Sequence, residues 1–383
     1  MPTRIVHLAT THRPRDPRIF QKECRTLAAA GHEVVYVVPG ERDEVVDGVE
    51  IQTVPVPHSG RERLTATVQA VYERAMEQGR DAIMHLHDSD LLRVGFRLKR
   101  AGYRVVYDAH EDTPKQMRYQ HWIPTGLRPI AAALYAHWER RAGRLFDGII
   151  TAEPLNAARF PASKTITLHN YPILDELVLT DSPPYASRAN RIVYVGGISR
   201  VRGIEEMVSA VSALPPALNA ELVLAGSFHP ASLASDVASC PHVRTVGYAS
   251  RPEVARLLAE ARVGLAILHP VRKYIEAYPT KLFEYMSVGL PAVVSDFPGW
   301  RAIVDDAGCG LTVDPLDSDA LAEAIRWLLE HPSEAEAMGA RGRLAVMARY
   351  SWRSEAERLL AFYDRILSGH PAGEVWAPEA GGA

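Results

Sequence analysis

Short apolar runs alternate along this chain with longer stretches whose apolar positions recur every third or fourth residue. That is the rhythm of a parallel sheet covered by helices. The first strand is expected at 4–9. Asp16 and Pro17 have the residue types of a helix cap and a first helical position, and the helix they open is expected to reach Ala30 with Phe20, Cys24 and Leu27 facing inward. Gly31 ends it before a strand at 32–39. Further strands are expected at 49–56, 82–86, 104–108, 148–152 and 165–169, and helices at 64–78, 91–101 and 127–146. The run 177–190, which contains Asp181-Ser-Pro-Pro-Tyr, reads as a linker. A second series follows, with strands at 191–197, 221–226, 243–246 and 263–268, and helices at 204–214, 252–261, 318–330, 332–350 and 353–367. The first βαβ unit lacks G-x-G-x-x-G, which disfavours a dehydrogenase.

Length agrees with this two-part reading, because 383 residues exceed one ordinary core. The expected division is 1–176 and 191–352, joined by 177–190, with a disordered tail at 369–383. Apolar content of 47% and charged content of 23% are those of a soluble globular protein. A formal net charge of -3 gives no reason to expect nucleic acid as a partner. The three cysteines, Cys24, Cys240 and Cys309, are far apart and suggest neither a zinc site nor a disulfide framework. The opening apolar run is too short for a signal peptide, and no run reaches the roughly 18 residues of a membrane span, so a cytoplasmic location is expected. The segment 122–144 is aromatic and basic enough for membrane contact, yet a core helix explains it equally well.

The chemistry concentrates in Glu276-Ala-Tyr-Pro-Thr-Lys-Leu-Phe-Glu284. Pro279 suits the first position of a helix, which would leave the N–H groups of Thr280, Lys281 and Leu282 without intrahelical partners and ready for phosphate. Glu284 lies further along that helix, Gly289 and Pro291 stop it, and 292–295 reads as a buried strand. This stretch resembles the E-x7-E motif of retaining glycosyltransferases of family 4, and Thr280-Lys-Leu-Phe-Glu-Tyr-Met and Gly289-Leu-Pro follow its usual wording. The resemblance covers nearly the whole chain. It implies a GT-B fold: two Rossmann-like parallel-sheet domains facing each other across a cleft, with a C-terminal helix at 353–368 crossing back to the N-terminal domain. Leu359, Leu360, Phe362, Tyr363 and Ile366 supply that helix with an apolar face.

By the same resemblance Glu276 meets the donor sugar and Glu284 the ribose, while Tyr278, Pro279, Thr280 and Lys281 belong to the donor site. In Val195-Gly-Gly-Ile-Ser-Arg-Val-Arg-Gly203, Gly197 falls in the family's glycine segment and Arg202 at its diphosphate-holding Lys. Ile198 occupies the place of the family's Arg, and Arg200 and Lys281 are the candidates to replace it. His110 and Glu111, at the end of the 104–108 strand, look like the family's His-Glu, whose His faces the donor sugar. His12, Asp16 and Arg18, followed by Ile19-Phe20, form a cleft-loop pattern known from a subset of the family. Arg13, Arg15 and Arg18 serve equally well as residues that solubilise a loop.

The catalytic set implied is therefore His110, Glu276 and Arg202. His87-Asp-Ser-Asp90 has metal-ligand residue types, but the resembling family binds its donor without metal, so neither a metal nor another cofactor is expected. The function implied is retaining transfer of a sugar from a UDP- or GDP-sugar to a glycolipid, polysaccharide or small natural product. A nucleotide-sugar 2-epimerase of the same architecture and a non-catalytic sugar-binding subunit are the alternatives, the latter favoured by Ile198.

Overall fold

The computed structural model describes residues 2–110, 112–119 and 123–369. The chain divides into two compact units. The first comprises the residues up to Asn170 together with those from Glu355 onward, and the second runs from Tyr171 to Ser354.

The first unit is built on an eight-stranded sheet of β1 (Arg4–Leu8), β2 (Glu33–Pro39), β3 (Glu44–Val46), β4 (Val49–Val54), β5 (Ile83–Leu86), β6 (Arg104–Ala109), β7 (Gly148–Thr151) and β8 (Thr165–Thr167). Their order is β3-β4-β2-β1-β5-β6-β7-β8, parallel except for the β3–β4 pair. That antiparallel edge has no counterpart in the expected elements. It is a hairpin turning on Asp47 and Gly48, both at positive φ (51° and 76°), the backbone that an Asp-Gly pair adopts most readily. The Asp16 carboxylate accepts from the N–H groups of Arg18 and Ile19, so it caps the following helical segment as its residue type suggests. Phe20, Cys24 and Leu27 are buried there.

The helix before β5 begins at Gly60, four residues earlier than expected, because Ser59 caps it by accepting from Glu62 N–H. Short helices at Thr113–Met117 and Pro154–Ala157 are additional to the expected set. The long helix Arg128–Leu145 precedes β7. Glu111, Trp122 and the tail beyond 369 lie outside the described residues.

The helix Trp352–Ser368 carries its main part in the first unit. Leu359, Phe362, Tyr363 and Ile366 are buried, whereas Leu360 is only partly so. Phe362 packs on β7 so closely that a Cβ on Gly148 would come within 2.3 Å of its ring. Tyr363 hydroxyl lies 2.8 Å from His85 Nδ1, and Glu355 accepts from His169 N–H at 2.9 Å.

The second unit has a six-stranded, all-parallel sheet in the order β11-β10-β9-β12-β13-β14, where β9 is Arg191–Val195, β10 Glu221–Ala225, β11 Val243–Gly247, β12 Val263–Ala266, β13 Ala292–Ser295 and β14 Gly310–Val313. The helix Pro298–Ala307 and β14 are additional to the expected set. Residues 177–190 are part of this unit's packing. Leu177 and Tyr185 are buried, and Tyr185 hydroxyl donates to Arg262 carbonyl. The boundary between units consequently falls at 170/171, because Tyr171 is stacked edge-on against Phe283 and Tyr350. The three cysteines are free, and no described helix is long and apolar enough to cross a membrane.

Candidate functional site

In the second unit the candidate donor residues converge at the ends of β9 and β12. Gly196 has φ of 130°, and a Cβ there would lie 3.2 Å from Lys281 Nζ and 4.0 Å from an Arg202 nitrogen. Glycine thus lets two cations crowd one backbone bend. A Cβ on Gly197 would sit 3.8 Å from Arg202 and 3.9 Å from His229. Arg202 also lies over the ring of Tyr274, and Lys281 over that of Tyr194. Burial, then the neighbouring Arg202, draws the Lys281 ammonium down to about 8, against a smaller opposing pull from Glu284. Two partly desolvated cations side by side are an arrangement suited to a multivalent anion.

The helix that carries Lys281 runs Thr280–Ser287. Pro279 stands before its first turn as the N-cap and not inside it, with ψ at 74°. As a result the N–H of Thr280 turns back to Tyr278 carbonyl at 3.0 Å, so this donor is not available to a phosphate as the sequence suggests. Glu284 receives a 2.7 Å hydrogen bond from Arg251, which also reaches Glu176. Glu276 is bonded by Arg272 at 2.6 Å. Tyr278 is partly buried, with its ring 6.2 Å from that of Tyr171.

The Arg-to-Ile departure at 198 has a packing reason. Ile198 is fully buried, bridges to Phe228 and donates its N–H to Ser227, so it extends the sheet and completes the core. Arg200 is exposed and paired with Glu205, whereas Lys281 shares the Gly196 bend with Arg202. Of the two candidates, Lys281 is the one beside Arg202. Arg251, Tyr274 and His229 were not singled out from sequence. Arg251 follows the Ser250 capping box, a visible helix signal, but its pairing with Glu284 spans 33 residues.

In the first unit the strand ends surround a polar cavity of about 340 Å³ lined in part by Thr11, Asp88, Asp90, Tyr107, His110 and Gln116. Asp88 accepts from the N–H groups of Thr10 and Thr11 and from Thr11 hydroxyl, fixing the loop after β1. His12 is bonded to Asp16 at 2.9 Å, and its ring meets His110 edge-on at 5.3 Å. His110 Nδ1 lies 3.6 Å from Asp108. Burial alone would raise the Asp108 carboxyl, but the Arg18 guanidinium, followed by His110 and His87, holds it well below the usual range.

Arg18 departs from its expected place in the cleft loop. It is turned inward, with two bonds to Asp108, one to Leu168 carbonyl and an ion pair to Glu23. A buried guanidinium needs such partners, and these two carboxylates supply them. Arg15 pairs with Glu44 and covers Phe20. The His87-Asp-Ser-Asp90 group is likewise dispersed: Asp90 pairs with Arg63, and His87 points into a buried histidine cluster with His7 and His85.

Residues 181–345 match the family model for glycosyl transferases group 1, and residues 18–166 match that of the glycosyl transferase 4-like domain. The chain is 24% identical to an MMP alpha-(1->4)-mannosyltransferase of Mycolicibacterium hassiacum over 74% of its own length and 71% of the relative's. It is 24% identical to a phosphatidyl-myo-inositol mannosyltransferase of Mycobacterium leprae, over 89% of this chain and 90% of that one. Among solved structures, sucrose-phosphate synthase from Thermosynechococcus elongatus superposes with a TM-score of 0.75 at 21% identity, covering 96% of this chain and all of the other.

Proposed function

We propose that this chain, which belongs to the family 4-type glycosyltransferases of GT-B fold, transfers a hexosyl group from a UDP- or GDP-sugar to a hydroxyl acceptor with retention at the anomeric carbon. The observation that carries the reading is the Lys281–Arg202 pair at the Gly196 bend, with Glu284 and Glu276 on either end of the same segment. The diphosphate lies against Lys281 and Arg202, which neutralise the charge that grows on the leaving phosphate. Glu284, oriented by Arg251, accepts from the ribose hydroxyls, and Glu276 holds the sugar. The acceptor is taken by the polar cavity of the first unit, beside His110.

Retention follows from attack on the face that the leaving group departs. The bond from the anomeric carbon to the phosphate oxygen breaks, the acceptor oxygen bonds to that carbon, and the acceptor proton passes to the phosphate. No protein nucleophile is used in this sequence. The epimerase and the non-catalytic alternatives are not favoured by the comparisons, whose matched relatives are named as transferases.

Calorimetric titration of the full-length protein with UDP and with GDP tests the donor site. One nucleotide is expected per chain, with affinity lost in the Arg202→Ala/Lys281→Ala double variant. Absence of binding by either nucleotide, or binding indifferent to the double substitution, would overturn the assignment.

A further inference from the structure

We propose that the first unit holds a buried divalent transition-metal ion, of the zinc class, between His7, Glu23, His85 and His87. The strand register creates the cluster. His7 on β1 is the direct partner of His85 on β5, and His87 follows His85 by two residues. Partnered and alternate positions share one sheet face, so three imidazoles project together. Glu23 enters the same space from the helical segment after β1.

All four side chains are buried, at 0% exposure for His7, Glu23 and His85 and 1% for His87. Among the described residues they form the group whose ligand atoms gather closely enough for one ion, all within 4.8 Å of one another. Four-coordinate zinc at its usual bond lengths needs ligand atoms about 3.3 Å apart, so small inward side-chain shifts complete the shell.

A second observation points to a ligand. His7 Nε2, His85 Nε2 and the Glu23 oxygen turned away from Arg18 are buried without a hydrogen-bond partner. Buried polar atoms are rarely left unpaired, and several in one place call for an occupant.

The surroundings match the outer shell that metal ligands require. His85 Nδ1 is engaged by Tyr363 hydroxyl at 2.8 Å and lies 3.9 Å from a Glu23 oxygen, while its Nε2 has no hydrogen-bond partner. His87 Nδ1 faces Asp108 at 3.4 Å, a carboxylate that fixes the ring, so Nε2 is the atom that would exchange its contact with His7 for the ion. Arg18 sits 3.2 Å from one Glu23 oxygen, so the other oxygen remains for coordination. The competing arrangement is a metal-free hydrogen bond between His7 Nδ1 and His87 Nε2, which stand 2.8 Å apart.

The ion would tie β1, β5 and, through Tyr363, the C-terminal helix together. Its role is therefore structural.

The test is elemental analysis of full-length protein prepared without a histidine tag, grown with zinc supplementation and dialysed against EDTA. About one zinc per chain is expected, falling at least tenfold in Glu23→Gln and in His85→Gln, each checked for folding by circular dichroism. If either variant fails to fold, the wild-type stoichiometry still decides. Wild-type protein with less than about a tenth of a zinc per chain would overturn the proposal, as would a full complement unchanged in both variants. The readout is metal content, so it stands or falls independently of transferase activity.

Discussion

Lys281 gives the donor site a proton-linked signature. Its ammonium is drawn down to about 8 by burial and by Arg202, so at pH 8 about half of the molecules carry a neutral amine there. A diphosphate oxygen about 4 Å away contributes roughly 4 kcal/mol per unit charge at an effective dielectric near 20, enough to raise the bound-state value by about three units. Nucleotide binding at pH 8 should therefore take up about half a proton from solution, and affinity should fall about tenfold per unit as pH rises above 8. The secondary phosphate ionisation, near 6, contributes little at that pH. Calorimetry in buffers of different ionisation enthalpy measures this uptake as a slope of about 0.5, and Lys281→Met should abolish it. A wild-type slope of zero, or one unchanged by Lys281→Met, would refute the reasoning.

Glu284→Ala should weaken nucleotide binding by about tenfold or more, since charge-assisted hydrogen bonds are worth roughly 1.5–3 kcal/mol each; unchanged affinity by calorimetry would remove the ribose role. Asp16 is held to about 2, because the bond from His12 and the backbone N–H groups of Ile19 and Arg18 outweigh the opposing effect of burial. A depressed carboxylate stabilises the fold above its unfolded value near 3.8 and loses that contribution as pH falls towards 2, so Asp16→Asn should cost about 2 kcal/mol at pH 6 and progressively less below pH 4. Urea unfolding of both proteins across that range checks the sign, and a difference that does not shrink with acid contradicts it. Deleting residues from Ser351 onward should expose the surface around Gly148 and abolish turnover, because Phe362 and Tyr363 leave with the helix; a soluble, fully active truncation would contradict that packing.

Much of the architecture was legible because local signals coincide with tertiary ones. Gly31 and Gly289, both at positive φ, stop helices where the apolar rhythm changes, and the buried runs of β2 and β13 need no distant information. The Asp47-Gly48 hairpin and the Ser59/Glu62 cap were equally local, and the short flanking segments concealed them. Other features depended on pairings between distant residues. Ile198 looks like a lost cation until Phe228 is placed beside it, and Arg18 looks like a loop charge until Asp108 arrives from 90 residues away. The histidine cluster required the register of β1 against β5, which periodicity within either strand cannot supply.

The most direct test of the account is a turnover measurement on full-length protein with UDP- and GDP-hexoses, each with and without lipid, saccharide and small-molecule acceptors. The account predicts nucleoside diphosphate release that an acceptor accelerates, with a glycosylated product whose anomeric configuration, read by NMR, equals that of the donor. Donor epimerised at C2 without any acceptor, or nucleotide binding with no transfer to any acceptor, would contradict it.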